Sequence, residues 1–360
     1  MFFGLLSGDH GLLITDKWCL MRLRDAFAAT LAVVAMTAPT GARSAGVEEF
    51  YKGRTISLII GYSVGSGYDI YARLLARFIG RHIPGRPMVV AQNMPGAGSI
   101  KAAMYLYGIA PKDGSVIATI GRSAPLEPLL GDAQFDGRTF AWIGSIASNS
   151  SLCASWHATP IRTWQDALTK PFALAGEGSG SDPDNFARIL KNVFGAKVRL
   201  VTGYPGGTEM NLAIERGEVD GRCGWSWDSI KSTRPDWLRD RKLNLLAVFS
   251  LEKAADIPAE VPLIVDLASS DEQRQILRVL LAGQGLGRPY FTSPGVPEDR
   301  KAALRAAFDA TMQDPDFLAE IAKAKLEVNP TSGMEIDRLL ADIYATPKEV
   351  IEKAKQAVRN

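Results

Sequence analysis

Four glycine-rich turns are the segments of this sequence best suited to chemistry, and the chemistry is anion binding. They are residues 61–67 (Gly61-Tyr62-Ser63-Val64-Gly65-Ser66-Gly67), 93–98 (Asn93-Met94-Pro95-Gly96-Ala97-Gly98), 176–182 and 203–207 (Gly203-Tyr204-Pro205-Gly206-Gly207). Each follows an apolar run and precedes a segment with helical periodicity. Such turns converge backbone N–H groups on a helix N-terminus, whose dipole favours negative charge. Arg122, directly after an apolar run, reads either as a solvated cation or as the partner of a carboxylate. Trp225 and Trp227 flank Ser226, and strand alternation would put both indoles on one face. That face is either core or the wall of a cleft against an apolar part of a ligand. Asp69 reads as a helix cap or loop brace rather than an anion contact, since like charges repel.

Other chemistries find little support. Beyond residue 45 the histidines are His82 and His157, the first at a helix C-terminus and the second at the start of a turn. No Cys/His/carboxylate group has metal-ligand spacing. Gly178-Ser179-Gly180 lacks the pattern of a nucleophile elbow. A formal charge of +2, with Lys and Arg spread along the chain, excludes a strong polyanion surface and predicts no nucleic-acid partner. The sequence calls for no cofactor and no metal.

With 360 residues, 46% apolar and 22% charged, the chain suits two globular domains. Its start reads as an export signal. Met21-Arg22-Leu23-Arg24 is a basic n-region, residues 26–38 form a short apolar stretch, and Ala42, Ser44 and Ala45 are small. The apolar stretch falls short of the ~20 residues of a membrane span. Cleavage is expected after Ser44 or Ala45, and residues 1–20 read as an upstream extension of the reading frame. This places the mature protein in the periplasm. There, Cys153 and Cys223 read either as one disulfide or as two buried free thiols.

The elements that position the turns follow from period and punctuation. Strands are predicted over 55–60, 88–92, 116–120 and 142–147, then over 152–156, 172–175, 197–201, 219–225 and 243–249. Helices alternate with them. In the first, Ile70, Leu74, Leu75, Phe78 and Ile79 share a face, and Ser99 is placed to cap the second. From about residue 270 the pattern is mainly helical, with a break near Pro347. Strands alternating with helices imply parallel sheets covered on both faces, and two such runs meeting near residue 149 imply two α/β lobes.

At the turns the sequence resembles a known family. Residues 59–69 with Ala72-Arg73, then Gln92-Asn93-Met94-Pro95-Gly96-Ala97-Gly98-Ser99 and Pro111-Lys112-Asp113-Gly114, are similar to the tripartite tricarboxylate transporter substrate-binding proteins, the Bug family. Tyr204-Pro205-Gly206-Gly207 leading to Gly217-Glu218-Val219-Asp220 resembles their second-lobe signature. Pro294-Gly295-Val296-Pro297 and Asp314-Pro315 resemble their C-terminal part. The resemblance implies an α/β, two-lobe type II periplasmic-binding-protein fold that closes on a carboxylate and delivers it to a membrane permease. Lobe 1 is expected over 46–148 and 250–345, lobe 2 over 149–249, with residues 346–360 a helix across the base. It also implies a monomer that binds a small organic carboxylate and partners permease subunits.

The ligand contacts expected in the first lobe are Tyr62, Ser63, Gly65, Ser66, Gly67 and Asp69; Gly96, Ala97, Gly98 and Ser99; and Arg122, Ser123 and Ser148. In the second they are Ser179 and Ser181; Tyr204, Gly206, Gly207 and Thr208; and Trp225. Two departures bear on ligand identity. The first loop lacks the family's Pro-Gly-Gly turn, and Gly180-Ser181-Asp182-Pro183 stands where a His often opens the helix. One other class resembles the first loop: Gly61-x-x-x-Gly65-x-Gly67 is similar to the phosphate loop of short-chain dehydrogenases. Those enzymes need Tyr-x-x-x-Lys on one helix, and the match here, Tyr344 and Lys348, has Pro347 inside it. A further alternative is a periplasmic accessory that presents its ligand to a sensor kinase. The favoured reading is a binding protein and not an enzyme.

Overall fold

Short apolar runs rich in β-branched residues become strands here, and their register assembles two sheets. The computed structural model describes residues 40–147 and 150–359, with side chains from residue 46. The chain opens with α1 (Thr40–Tyr51), β1 (Thr55–Ile60), α2 (Gly67–Ile79), β2 (Met88–Asn93), α3 (Ile100–Gly108), β3 (Val116–Thr119), α4 (Glu127–Leu130) and β4 (Ala141–Ser145). It continues through β5 (Ser151–Trp156), α5 (Trp164–Thr169), β6 (Phe172–Ala175), α6 (Asp182–Asn192), β7 (Val198–Val201), α7 (Gly207–Glu215), β8 (Gly221–Ser226), α8 (Trp227–Thr233), α9 (Pro235–Arg239) and β9 (Leu243–Val248). The last part holds α10 (Asp271–Leu281), β10 (Pro289–Thr292), α11 (Glu298–Thr311), α12 (Pro315–Lys323), β11 (Thr331–Ser332), α13 (Gly333–Tyr344) and α14 (Lys348–Ala357).

The first sheet runs β11-β4-β10-β3-β1-β2 and the second β7-β6-β8-β5-β9. The expectation of parallel sheets needs correction. β1 is parallel to β2 and β3, but β10 enters antiparallel between β3 and β4. In the second sheet β6 is parallel to β7 and β8, whereas β5 runs antiparallel to β8 and β9. The reason is connectivity: the chain crosses between the sheets, so a strand can enter from the far end without a helical crossover.

Strand alternation sends successive side chains to opposite faces. Ile56, Leu58 and Ile60 of β1 pack with Leu75, Phe78, Phe308 and Phe317, while Ile59 joins a different cluster with Ala103, Leu106 and Phe291. Each fully buried Leu, Ile or Phe contributes about 1.5–3 kcal/mol. α2 shows why the helices start where they do. Ser66 caps it by accepting the Asp69 amide, Asp69 lies in the first turn, and Arg77 lies in the last, so both ends complement the helix dipole.

Several sequence expectations resolve here. Ser99 does not cap α3: it sits at φ 77°, and its hydroxyl instead accepts the amide of Gly121. Trp225 lies in β8, but Trp227 opens α8, so the two indoles are not an alternating strand pair. Pro347 does separate two helices, α13 and α14. Cys153 of β5 and Cys223 of β8 lie on neighbouring strands and are joined as a disulfide. The basic and apolar parts of the expected export signal lie outside the described residues, and the expected cleavage point falls within α1. Among the described residues no helix is long and apolar enough to cross a membrane.

Candidate functional site

The loops beyond the carboxyl ends of the two sheets face each other, and their side chains bond across the gap. Ser63 donates to Glu209 at 2.8 Å, and Thr208 donates to the Val64 carbonyl at 3.3 Å. Ser179 donates to Glu127 at 3.0 Å, and Ser123 donates to Asp182. The Gly98 amide reaches the Glu177 carbonyl at 3.2 Å. Two ion pairs complete the closure. Arg122 meets Asp182 at 3.1 Å and also donates to Ser226. Arg288 donates to both Asp228 oxygens at 3.0 and 2.8 Å and to Ser229, with its guanidinium over the rings of Tyr68 and Tyr71.

Between these contacts lies a narrow cavity of about 60 Å³. Of the expected contacts, Tyr62, Gly65, Ser66, Gly67, Arg122, Gly207, Thr208 and Trp225 line it. Tyr62 stacks on Tyr68 with ring centres 4.4 Å apart. The first-loop backbone is held by Asp69, whose carboxylate accepts from the Gly65 amide, Arg73 and Asn93, as its brace role requires.

The other expected contacts lie elsewhere. Ser63, Ser123 and Ser179 are spent on the cross-cleft bonds given above, and Ser181 caps α6. Tyr204 donates its amide to the Gly176 carbonyl and does not line the cavity. Ser148 lies outside the described residues.

Gly96, Ala97, Gly98 and Ser99 do not line the cavity: Ala97 and Gly98 lie against Gly178 and Ser181, Gly96 lies beside Lys101, and Ser99 bonds the Gly121 amide. A Cβ on Gly98, whose φ is +59°, would stand 2.6 Å from the Ser181 Cβ. On Gly206 it would crowd the Ser63 hydroxyl. Glycine is therefore needed for the close approach of one lobe to the other. Arg122, too, is buried rather than solvated, and its carboxylate partner belongs to the protein.

The cavity also holds groups not expected as contacts, foremost Arg222, Arg234 and Arg288, with Glu177 from the turn over 176–182. Arg222 stacks on Trp225 with 4.9 Å to the ring centre. Among the described residues it makes only long contacts, 3.3 Å to the Gly207 carbonyl and 3.5 Å to Asn211, and its Nε has no partner there. Burial lowers its pKa to about 10 against the opposing pull of Glu177 and Tyr62. Burial likewise pushes the Glu177 carboxyl up to about 8: Arg222 opposes the rise, while Asp184, Asp182 and Glu209 add to it. A charged residue between Gly221 and Cys223, in a strand otherwise apolar and small, was the available sequence sign of Arg222.

An α/β chain of two lobes with an arginine-rich cavity between their loops has the form of a substrate-binding protein. Residues 72–355 match the model of the family described as the tripartite tricarboxylate transporter family receptor, and the chain belongs to that family. A Cupriavidus necator protein described as "UPF0065 protein in gbd 5'region" is 25% identical over 343 residues, which is 92% of this chain and 97% of the relative.

Similar solved structures share the fold. The periplasmic binding protein BugD aligns at 18% identity over 84% of this chain and 98% of its own, with a TM-score of 0.67. MatC from Rhodopseudomonas palustris, solved with bound malate, aligns at 17% identity over 85% and 99%, with a TM-score of 0.65. An R. palustris protein solved with adipate aligns at 19% identity over 84% and 97%, with a TM-score of 0.64. The chain therefore has the two-lobe periplasmic-binding-protein fold and is a solute-binding receptor.

Proposed function

We propose that this protein is an exported, non-catalytic receptor that captures a small organic carboxylate between its lobes and hands it to a membrane permease. The observation that carries the reading is the lining of the interlobe cavity. Arg122, Arg222, Arg234 and Arg288 outnumber Glu177 and Asp182 there, and the first turn of α7 enters it at Gly207 and Thr208. Positive charge and helix-terminal amides in a narrow cavity favour an anion. The malate and adipate held by two structural neighbours agree with that chemistry.

Lobe 1 is assigned to residues 46–148 and 250–345 and lobe 2 to 149–249, with the first sheet in one and the second in the other. Opening and closing is then a rigid-body motion about the crossings. α14 packs against α10, α4 and α6, and so touches elements attached to both sheets.

A thermal-shift screen of mono-, di- and hydroxycarboxylates, followed by calorimetry, tests the binding. A ligand at ~100 times its dissociation constant adds about 2.7 kcal/mol of stability. If no carboxylate stabilises the protein, the reading fails. N-terminal sequencing of exported protein should find Ala45 or Gly46 first, and an intact start at Met1 or Met21 would overturn export.

A further inference from the structure

Arg222 and Glu177 are two buried groups of opposite kind that share one cavity without bonding to each other. Arg222 is 5% exposed and Glu177 7% exposed. Among the described residues no carboxylate lies within ion-pair distance of Arg222, and its Nε is unsatisfied. The backbone of Glu177 is tied down, its amide to Asp184 at 2.7 Å and its carbonyl to Gly98 at 3.2 Å. Its carboxyl, in contrast, has no hydrogen-bond partner among the described residues. A buried polar group left unpartnered is costly, and the guanidinium that carries the unsatisfied Nε lines the same cavity as a carboxyl that makes no bond of its own. A molecule placed between them would give both a partner.

We propose that Arg222 and Glu177 are the ligand-selecting pair of the cavity, Arg222 receiving a carboxylate and Glu177 donating a hydrogen bond to a second oxygen of the same small molecule, a hydroxyl, oxo or further carboxyl group. This rests on the carboxylate reading above and narrows it to a hydroxy-, oxo- or dicarboxylic acid. The guanidinium offers a planar fork for the carboxylate, and Trp225 fixes its plane. Glu177 can donate because burial keeps its proton on around neutral pH. The groups facing it support this: Asp184, Asp182 and Glu209 oppose its ionisation, Arg222 favours it, and Tyr62, its phenol held well above the usual range, faces it uncharged. A bound carboxylate cancels much of the Arg222 field, which holds the Glu177 proton more firmly. The surplus of arginines in the cavity argues against a zwitterion, whose ammonium would need Glu177 ionised.

The test is calorimetry of the full mature protein with lactate, pyruvate, malate, succinate and alanine, from pH 6 to 9.5. Wild type should bind an oxygen-bearing acid and lose affinity as pH rises through about 8, where Glu177 ionises and repels the ligand. Arg222→Gln should lose about ten- to a hundredfold in affinity, the loss of one charge-assisted hydrogen bond. Glu177→Gln, which keeps a donor but cannot ionise, should retain affinity and flatten the pH profile. Circular dichroism and a denaturation midpoint on each variant separate misfolding from lost contact.

An unchanged pH profile in Glu177→Gln, or wild-type affinity in Arg222→Gln, overturns the pair while leaving the carboxylate reading intact. Preferential binding of alanine with proton release from Glu177 overturns the ligand class. If wild type binds none of the carboxylates in the wider screen, the carboxylate reading fails and the pair falls with it.

Discussion

The Arg288–Asp228 pair joins a residue beside β10 of the first sheet to α8, which follows β8 of the second. Both are almost fully buried, at 2% and 1% exposure, and the arginine makes three hydrogen bonds through one nitrogen while lying over two tyrosine rings. Burial opposes the arginine's charge, but Asp228, Tyr71 and Tyr68 outweigh it and raise its pKa. Replacing Arg288 by Met leaves a buried carboxylate without its cation, and replacing Asp228 by Leu leaves a buried guanidinium without its anion. Either change should cost about 3–5 kcal/mol. The double variant removes both charges and fills the space with apolar atoms, so it should recover most of that loss. Urea denaturation of the four proteins gives the coupling energy directly. Single variants costing under about 1 kcal/mol would mean the pair behaves like an exposed one. A double variant as weak as the sum of the singles would show that the residues act independently. Either result refutes the argument that this pair latches the lobes.

Other consequences follow from single features. Gly98→Val combines a strained φ of +59° with a clash against Ser181, so it should lose more stability than Gly108→Ala, whose Cβ meets nothing within 4 Å and whose φ is not left-handed. Equal denaturation midpoints would sink the close-approach account. Exported protein, denatured without reductant, should show no free thiol from Cys153 and Cys223. Cutting that link across 70 residues should cost about 4 kcal/mol by the chain-entropy relation; two titratable thiols would refute it. Asp314 caps α12, and the hydrogen bond from His82, followed by the amides of Asp316 and Phe317, holds its carboxyl below the usual range. A depressed carboxyl stabilises the fold above its unfolded pKa, and that contribution is lost as pH falls through the folded one. The gap between wild type and Asp314→Ala should thus be about 1 kcal/mol near neutrality and close in acid, as pH-dependent denaturation would measure.

Elements with a local cause were legible in the sequence. β1 ends where Ile60 meets Gly61, and α2 begins where Ser66 offers a cap, because the residues that start and stop them are neighbours in sequence. β10 was not legible. It has four residues, begins with a proline, and lies at the centre of a sheet only because the chain returns there from the second lobe. The site divided the same way. Glycine turns announced that a backbone must be approached closely, yet sequence does not say by what, and at Gly98 and Gly206 the answer is the opposite loop. Arg122 was noticed for its place after a strand, while Asp182, which neutralises it, arrives 60 residues later. Arg222 and Glu177 acquire their importance from burial and from missing partners, properties that belong to the folded cavity.

The place of β10 bears on the order in which the molecule can assemble. All strands of the second sheet lie within residues 151–248, so that sheet can complete its pairing as soon as this stretch has emerged. The first sheet cannot. β3 and β4 have no bonds to each other, and the strand that joins them begins at Pro289, about 140 residues after β4 ends at Ser145. Until then β1, β2 and β3 form one fragment and β4 waits as an open edge able to pair wrongly. Contacts of such sequence separation are slow to form. A chain emerging from its amino end would therefore finish its second sheet first, and residues 289–292 would act as the clasp that joins the two parts of the first.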